Sequence, residues 1–392
     1  MRRLPRAVWL LCLVSFFNDL ASDMVIPLIP ILLASVLAAG PVALGLIEGV
    51  AEAVASFLKL WAGRHSDEAS GRRKRLAVAG YFLSNAARPL LAFAGHWGSA
   101  LLLRAVDRVG KGVRSAPRDA MLADMVGPAL RGAAFGLHRA FDNAGAVLGA
   151  LAAAAVLYWL GADVKFVILA SVAPGIAAVL LMIAVREPAQ HIAPEPLPPL
   201  RWGALGPAMR RLLAVFGVFT FARVSDTFIV LLGYQMGIGT IELLLLWAAL
   251  NLMKVLTAYA GGGWSDRSPR RIVVAVSWAA WALGFWLLRG VESVSGLWLV
   301  SLYAGAAAGL GEGAERALIR DYALAQEVGT AFGWYYCLIG LASIPAGLAF
   351  GALWQFGSAA LAFSFAGAIA TLSALAILAT ARHRKAGIRS LE

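Results

Sequence analysis

The sequence predicts an all-α integral membrane protein of twelve transmembrane helices in two pseudo-symmetric six-helix bundles, and three observations predict it. The 392 residues are 60% hydrophobic and only 14% charged, against roughly 25% charged in a soluble domain. Apolar runs such as FVILASVAPGIAAVLLMIAV (166–185) and ALAFSFAGAIATLSALAILAT (360–380) reach the roughly 20 residues that a helix needs to cross hydrocarbon. The chain also repeats itself at a separation of about two hundred residues, as expected of a duplicated six-span unit.

Taken in order, apolar windows bounded by Gly, Pro or charge clusters start near residues 8, 42, 76, 99, 133, 164, 212, 240, 271, 294, 329 and 358. The first, after MRRLPRAVWLLCLVSFF, has the charged start and apolar core of a signal peptide but runs on into NDLASDMVIPLIPILLASVL without a small-residue cleavage site, so it reads as an uncleaved span. Spans two and three are joined by GRHSDEASGRRKR. Span four is the most charged, with RAVDRVGKGVRSAPRDAMLAD (104–124) inside an otherwise apolar window. Spans six, nine and twelve have almost no interior charge, and span three offers only Arg88. The longest connection, REPAQHIAPEPLPPLRWGALGPAMRR (186–211), is polar and Pro-rich and divides the chain into a bundle over 1–187, a linker over 188–210, a bundle over 211–381 and a basic tail over 382–392. The repeat pairs FFNDLASDMVIPLI with FTFARVSDTFIVLL, and GKGVRSAPRDA with GEGAERALIRDY.

The net charge of +12 does not point to nucleic acid, because the basic residues collect in short connections on one side: Arg2, Arg3 and Arg6, then 72–75, Arg131, Arg186, Arg201, Arg210, Arg211, Arg267, Arg270, Arg271 and the tail. The opposite loops contribute only Lys165 and Arg289. By the positive-inside rule both termini are expected in the cytoplasm of a prokaryote, the protein being multi-pass in its inner membrane. Cys12 and Cys337 both fall within apolar spans, leaving no disulfide or metal motif. No cofactor and no metal is expected, and the looseness of GKG and GEG excludes a phosphate-cradling loop; close helix packing explains those glycines and Gly145-x-x-x-Gly149 better.

GRHSDEASGRRKR and its echo GGWSDRSPRR resemble the loop motif G-x-x-x-D-R-x-G-R-R of the major facilitator superfamily, and the resemblance extends over essentially the whole chain. Within it, the segments LGLIEGVAEA, LLLRAVDRVGKGVRSAPRDAMLAD and RGAAFGLHRAFDNAGAVLG are similar to a broad prokaryotic group near the drug/proton antiporters. The resemblance implies a gate on the cytoplasmic side built from Gly63, Asp67, Gly71, Arg72 and Arg73 and, in the second half, Gly262, Asp266, Arg267 and Arg270. It departs from the family in one extra residue between Asp67 and Gly71, in Glu68 at a basic position, and in Gly145-Ala146 where the antiporters have Gly-Pro. The third helix of each triplet is implied to lie against lipid, which the charge distribution independently supports.

Positions 104, 107, 108, 111 and 118 follow helical i, i+3, i+4, i+7 spacing and share one face. A charge at the bilayer centre costs at least about 2.5–3.5 kcal/mol, so that face turns to a water-filled cavity or to paired charges. Proton coupling requires a carboxylate whose surroundings change as the cavity alternates; the candidates are Asp23, Asp19, Glu52 and Glu48, with Arg104, in the place of the antiporters' span-four arginine, modulating one of them. Substrate-cavity candidates are Asp107, Arg108, Lys111, Arg139 and Asp142 in the first half. In the second they are Arg223, Asp226, Asn251, Lys254, Glu312, Glu315, Arg316, Tyr335 and Tyr336, with Arg223 expected to contact Asp226. Trp278, Trp281 and Trp286 are expected in lipid or core packing. The expectation is a transporter rather than an enzyme: a monomer moving a small molecule by alternating access, coupled to protons. Efflux of a drug or metabolite by antiport comes first, and uptake of an organic anion or chelated metal by symport is the alternative.

Overall fold

The computed structural model describes residues 5–68, 73–126, 130–186, 201–323 and 328–380, with the backbone alone at 63–68, 131–133, 204, 259, 266, 312 and 328–329. Among the described residues the regular structure is entirely helical. The helices are α1 (Arg6–Asp23), α2 (Ile29–Ser35), α3 (Pro41–Glu68), α4 (Arg73–Leu90), α5 (Trp97–Asp124), α6 (Arg131–Leu160), α7 (Val164–Ala170) and α8 (Val172–Ala184). They continue with α9 (Pro207–Phe219), α10 (Thr227–Gln235), α11 (Thr240–Arg267), α12 (Arg270–Leu288), α13 (Val294–Tyr322), α14 (Val328–Phe356) and α15 (Ala359–Ala379). Among the described residues, three pairs, α1/α2, α7/α8 and α9/α10, are single broken spans, which leaves twelve crossings with Arg6 and Ala379 on one side, here the terminal end. Eleven stretches among the described residues are long and apolar enough to cross a membrane; the twelfth crossing is α5, whose charge sets it apart.

The breaks have local causes. Pro27 and Pro30 cannot donate to the helix ladder, and a 3-10 turn at Ile26–Leu28 separates α1 from α2. Span seven breaks deeper: after a turn at Thr220–Ala222, Arg223 leaves helical geometry with ψ of 61°, and α10 resumes only at Thr227. The dipeptide repeated between the halves, Ser22-Asp23 and Ser225-Asp226, stands at both breaks. Non-helical backbone at membrane depth is tolerated where it lines a cavity. At the loop end opposite the termini, Asp163, Ser293 and Ser358 cap α7, α13 and α15 by accepting from a backbone N–H three residues on.

Large apolar side chains such as Phe82, Leu102, Leu180, Leu299 and Leu372 are exposed on an exterior that suits lipid rather than water. Inside, α1 packs on α6, α4 on α5, α11 on α13 and α12 on α15. The halves meet chiefly where α3 packs on α14 and α6 on α11. Towards the loop end the α3–α14 seam is closed by glycine: a Cβ added to Gly45 would lie 2.0 Å from the Gly347 carbonyl oxygen, and one added to Gly347 would lie 2.1 Å from that of Gly45. The Val42 N–H donates to Gln355 Oε1 across the same seam at 3.2 Å. Gly145 and Gly149 instead let α6 press against the backbone of α1 at Phe16 and Leu20.

Candidate functional site

Between the halves lies a cavity of about 390 Å³. Its first-half wall carries Glu48, Glu52 and Lys59 of α3 with Arg104 and Arg108 of α5; its second-half wall carries Phe221, Arg223 and Ser225 from the break in span seven, Trp281, Arg316, Tyr335 and Tyr336. Ile339, Ser343, Ala346, Gly347 and Phe350 of α14 line it too, following the glycine seam upward.

Behind the first-half wall sits a buried ion network. Asp107, 1% exposed, accepts from Arg88 Nε at 3.0 Å through Oδ1 and from Arg104 Nη1 at 3.2 Å through Oδ2, and Arg108 Nε lies 3.5 Å from the same Oδ2. Arg88 also donates to the Asn18 carbonyl, to Asn18 Oδ1 and to Asn85 Oδ1, so α1, α4 and α5 are stitched together at one guanidinium. Three cations around one buried carboxylate more than neutralise Asp107, so the cations need further partners. Arg104 Nη2 reaches on to Glu48 Oε1 at 3.4 Å, and Glu48 Oε2 accepts from Ser225 Oγ of the other half at 3.2 Å. Another hydrogen bond crosses the halves: Trp247 Nε1 of α11 donates to Asp23 Oδ1 at 3.0 Å.

The sequence candidates therefore separate into groups. Glu48, Glu52, Arg104, Arg108, Arg223, Arg316, Tyr335 and Tyr336 share the cavity wall. Asp107 stands behind it. Asp226 does not contact Arg223 as expected: it pairs with Lys254, while Arg223 pairs with Glu315, because the break turns the two residues of the shared motif in different directions. Glu315 also accepts from Trp278 Nε1 at 2.7 Å, and Asn251 donates to the Trp247 carbonyl. These residues, with Lys111 and Asp19, lie outside the wall. Arg139 and Asp142 belong to a separate polar group near the terminal end, where His138 bonds Ser15 Oγ at 2.7 Å and lies 3.4 Å from Asp142. The side chain of Glu312 lies outside the described residues.

Of the gate residues, Gly71 and Arg72 and the side chains of Asp67 and Asp266 lie outside the described residues, Gly63 and Gly262 are helical, and Arg267 is exposed at the end of α11. Arg73 bonds Asp124 and Arg270 bonds Asp321, joining α4 to α5 and α12 to α13 at equivalent places in the two halves. Sequence reasoning missed Arg88, Trp247 and Ser225. Arg88 carried a signal, being a lone charge in span three; Ser225 stood in the repeated Ser-Asp dipeptide and Trp247 one turn from Asn251, but only the packing of the halves gives these two their partners. Trp278 is core as expected, whereas Trp281 faces the cavity.

Residues 11–253 match the Major Facilitator Superfamily. The chain belongs to the major facilitator superfamily. An uncharacterized MFS-type transporter of Methanocaldococcus jannaschii is 29% identical, with 96% of this chain and 95% of that one covered. Among solved structures, an auto-inhibited peptide transporter of the POT family superposes with a TM-score of 0.80 at 13% identity over 99% of both chains. A bacterial homologue of the human lysosomal transporter Spinster, inward-facing and unoccupied, gives 0.71 at 14% identity over 96% of this chain and 95% of that one. Similarity this distant fixes the fold, and membership in the superfamily makes the chain a multi-pass membrane transporter of a small solute rather than an enzyme.

Proposed function

We propose that the chain is a proton-coupled secondary transporter in which residues 1–187 and 211–381 rock about the central cavity, with Asp23 and Glu48 as the protonatable groups. The observation that carries this reading is that both carboxylates belong to the first half and accept hydrogen bonds from the second, from Trp247 and Ser225. Neutralising either one weakens a contact between the halves, so proton occupancy and the contact that holds the halves together are linked. The charge asymmetry of the connections supports termini in the cytoplasm of a prokaryotic inner membrane, and a cavity lined by both halves of a single chain supports a functional monomer. Antiport, the first expectation, requires solute and proton to compete for these carboxylates; symport requires them to bind side by side.

Spin labels at Ala39 and Ser358, in the loops flanking the glycine seam, test the rocking motion by double electron–electron resonance at acidic and alkaline pH. Two distance populations whose ratio depends on pH are expected, with Asp23→Asn and Glu48→Gln each reducing that dependence. One unchanging distance at both pH values in the wild-type chain rules the mechanism out.

A further inference from the structure

The charges on the cavity wall do not balance. Among the described residues, Lys59, Arg104, Arg108, Arg223 and Arg316 line it against Glu48 and Glu52. Arg223 is paired with Glu315 behind the wall, Arg104 with Glu48 and Asp107, and Arg316 has a partner of its own. That leaves Arg108, whose one acid is shared, and Lys59, which makes no ion pair among the described residues. Arg108 is 7% exposed, its nearest acid is Asp107 at 3.5 Å, an oxygen already shared with Arg104, and its Nε has no hydrogen-bond partner. Lys59 points over the ring of Tyr336, 5.6 Å from its centroid, and its charge neighbours are Glu52 and Asp119 against Arg316 and Arg108, with no carboxylate in direct contact. Buried cations with unspent donors are costly unless something negative completes them.

We infer that the solute is a small organic anion, its carboxylate or phosphate group held by Arg108 and Lys59 and its body lying against Phe221, Trp281, Tyr335 and Tyr336. The aromatic wall and the cations belong to the same cavity, so one ligand uses both: charge-assisted hydrogen bonds fix the anionic end and ring surface covers the rest. A lipophilic cation meets the same aromatic residues but a wall of its own sign. This inference rests on the cavity being the solute site, as proposed above, and adds the sign of the solute.

The test is the melting temperature of the detergent-purified full chain, followed by tryptophan fluorescence, with benzoate, phenyl phosphate or tetraphenylphosphonium at about 10 mM, since a ligand that binds the folded state raises its stability by mass action. At least one of the two anions is expected to raise the wild-type value, with the better of the two identifying carboxylate or phosphate. The rise should vanish in Arg108→Gln and Lys59→Gln, and persist in Arg108→Lys and in the exposed control Lys165→Gln. Retention in Arg108→Lys shows that loss in Arg108→Gln reflects charge rather than misfolding. Equal shifts in wild type and Arg108→Gln, stabilisation by tetraphenylphosphonium alone, or no shift with any probe overturns the inference. Anion binding without pH-dependent far-loop distances would remove the rocking mechanism and leave the anion site standing; the reverse pair of results would do the opposite.

Discussion

Asp107 shows how a single residue organises the first half. It touches no part of the cavity, yet both its oxygens are committed to arginines from α4 and α5, and two of those arginines form the cavity wall. Removing the charge leaves Arg88, Arg104 and Arg108 facing one another in a dry interior, a situation that costs about 3–5 kcal/mol when one partner of a buried ion pair is deleted. Asp107→Asn is therefore expected to lower the melting temperature far more than Asp163→Ala, which removes an exposed helix cap worth about 1 kcal/mol. Comparable melting temperatures for the two variants would show that the network is dispensable. Because Asp107 positions Arg104 and Arg108 without touching solute, a conservative Asp107→Glu should restore stability before it restores anion binding.

At the scale of elements, the seam between α3 and α14 depends on two glycines whose backbones touch. A Cβ at either position meets the partner's carbonyl oxygen, not the movable end of a side chain, so substitution must separate the helices. Gly347→Val is expected to shift the population measured between Ala39 and Ser358 to the longer distance and to lower transport about tenfold, the scale of a modest change in a two-state equilibrium; unchanged distances would show that the seam is not part of the moving contact. The sequence made the helices themselves legible: ten of the twelve starts fall within two residues of a helix start, those at 164, 240 and 294 coinciding with α7, α11 and α13, and Arg104, Asp107 and Arg108 of the α5 stripe are buried on the inward face that its spacing predicted. Span seven was placed too late, near 212 rather than at Pro207, because Arg210 and Arg211 read as loop. What the sequence withheld was partnership between helices. Periodicity places Arg223 and Asp226 on one face of an unbroken helix, and the break at Thr220–Ala222 that sends them to Glu315 and Lys254 has neither proline nor glycine to announce it. Trp247 was visible as a neighbour of Asn251 and Lys254, but its bond to Asp23 depends on how two bundles dock.

For the whole molecule, the proposed coupling of protons to an anionic solute has a sign that follows from the charge layout. Glu48 is faced by Arg104 and Arg108 of α5 with Asp107 behind them, by Glu52 and Lys59 along its own helix, by Arg223 and Ser225 from the break in span seven, by Arg316 of α13, and by Tyr335 and Tyr336 of α14. While ionised it occupies Arg104, repels an entering anion and accepts the hydrogen bond that ties it to the second half. A proton on Glu48 removes that repulsion and frees Arg104 for the solute, so proton and anion favour each other's binding, and linkage makes the effect reciprocal. A cation would instead compete with the proton for the same carboxylate. The proposed anion-binding site thus argues for symport over the antiport first expected. In proteoliposomes, a proton gradient directed inward should drive the anion that gave the melting shift above its equilibrium level inside, and dissipating the gradient should abolish the accumulation. Glu48→Gln, neutral at every pH, should still exchange labelled for unlabelled anion but accumulate it far less, with exchange less dependent on pH than in the wild-type chain. If the inward proton gradient instead drives the anion out of preloaded vesicles, proton and solute compete, and the coupling is antiport despite the cations on the wall.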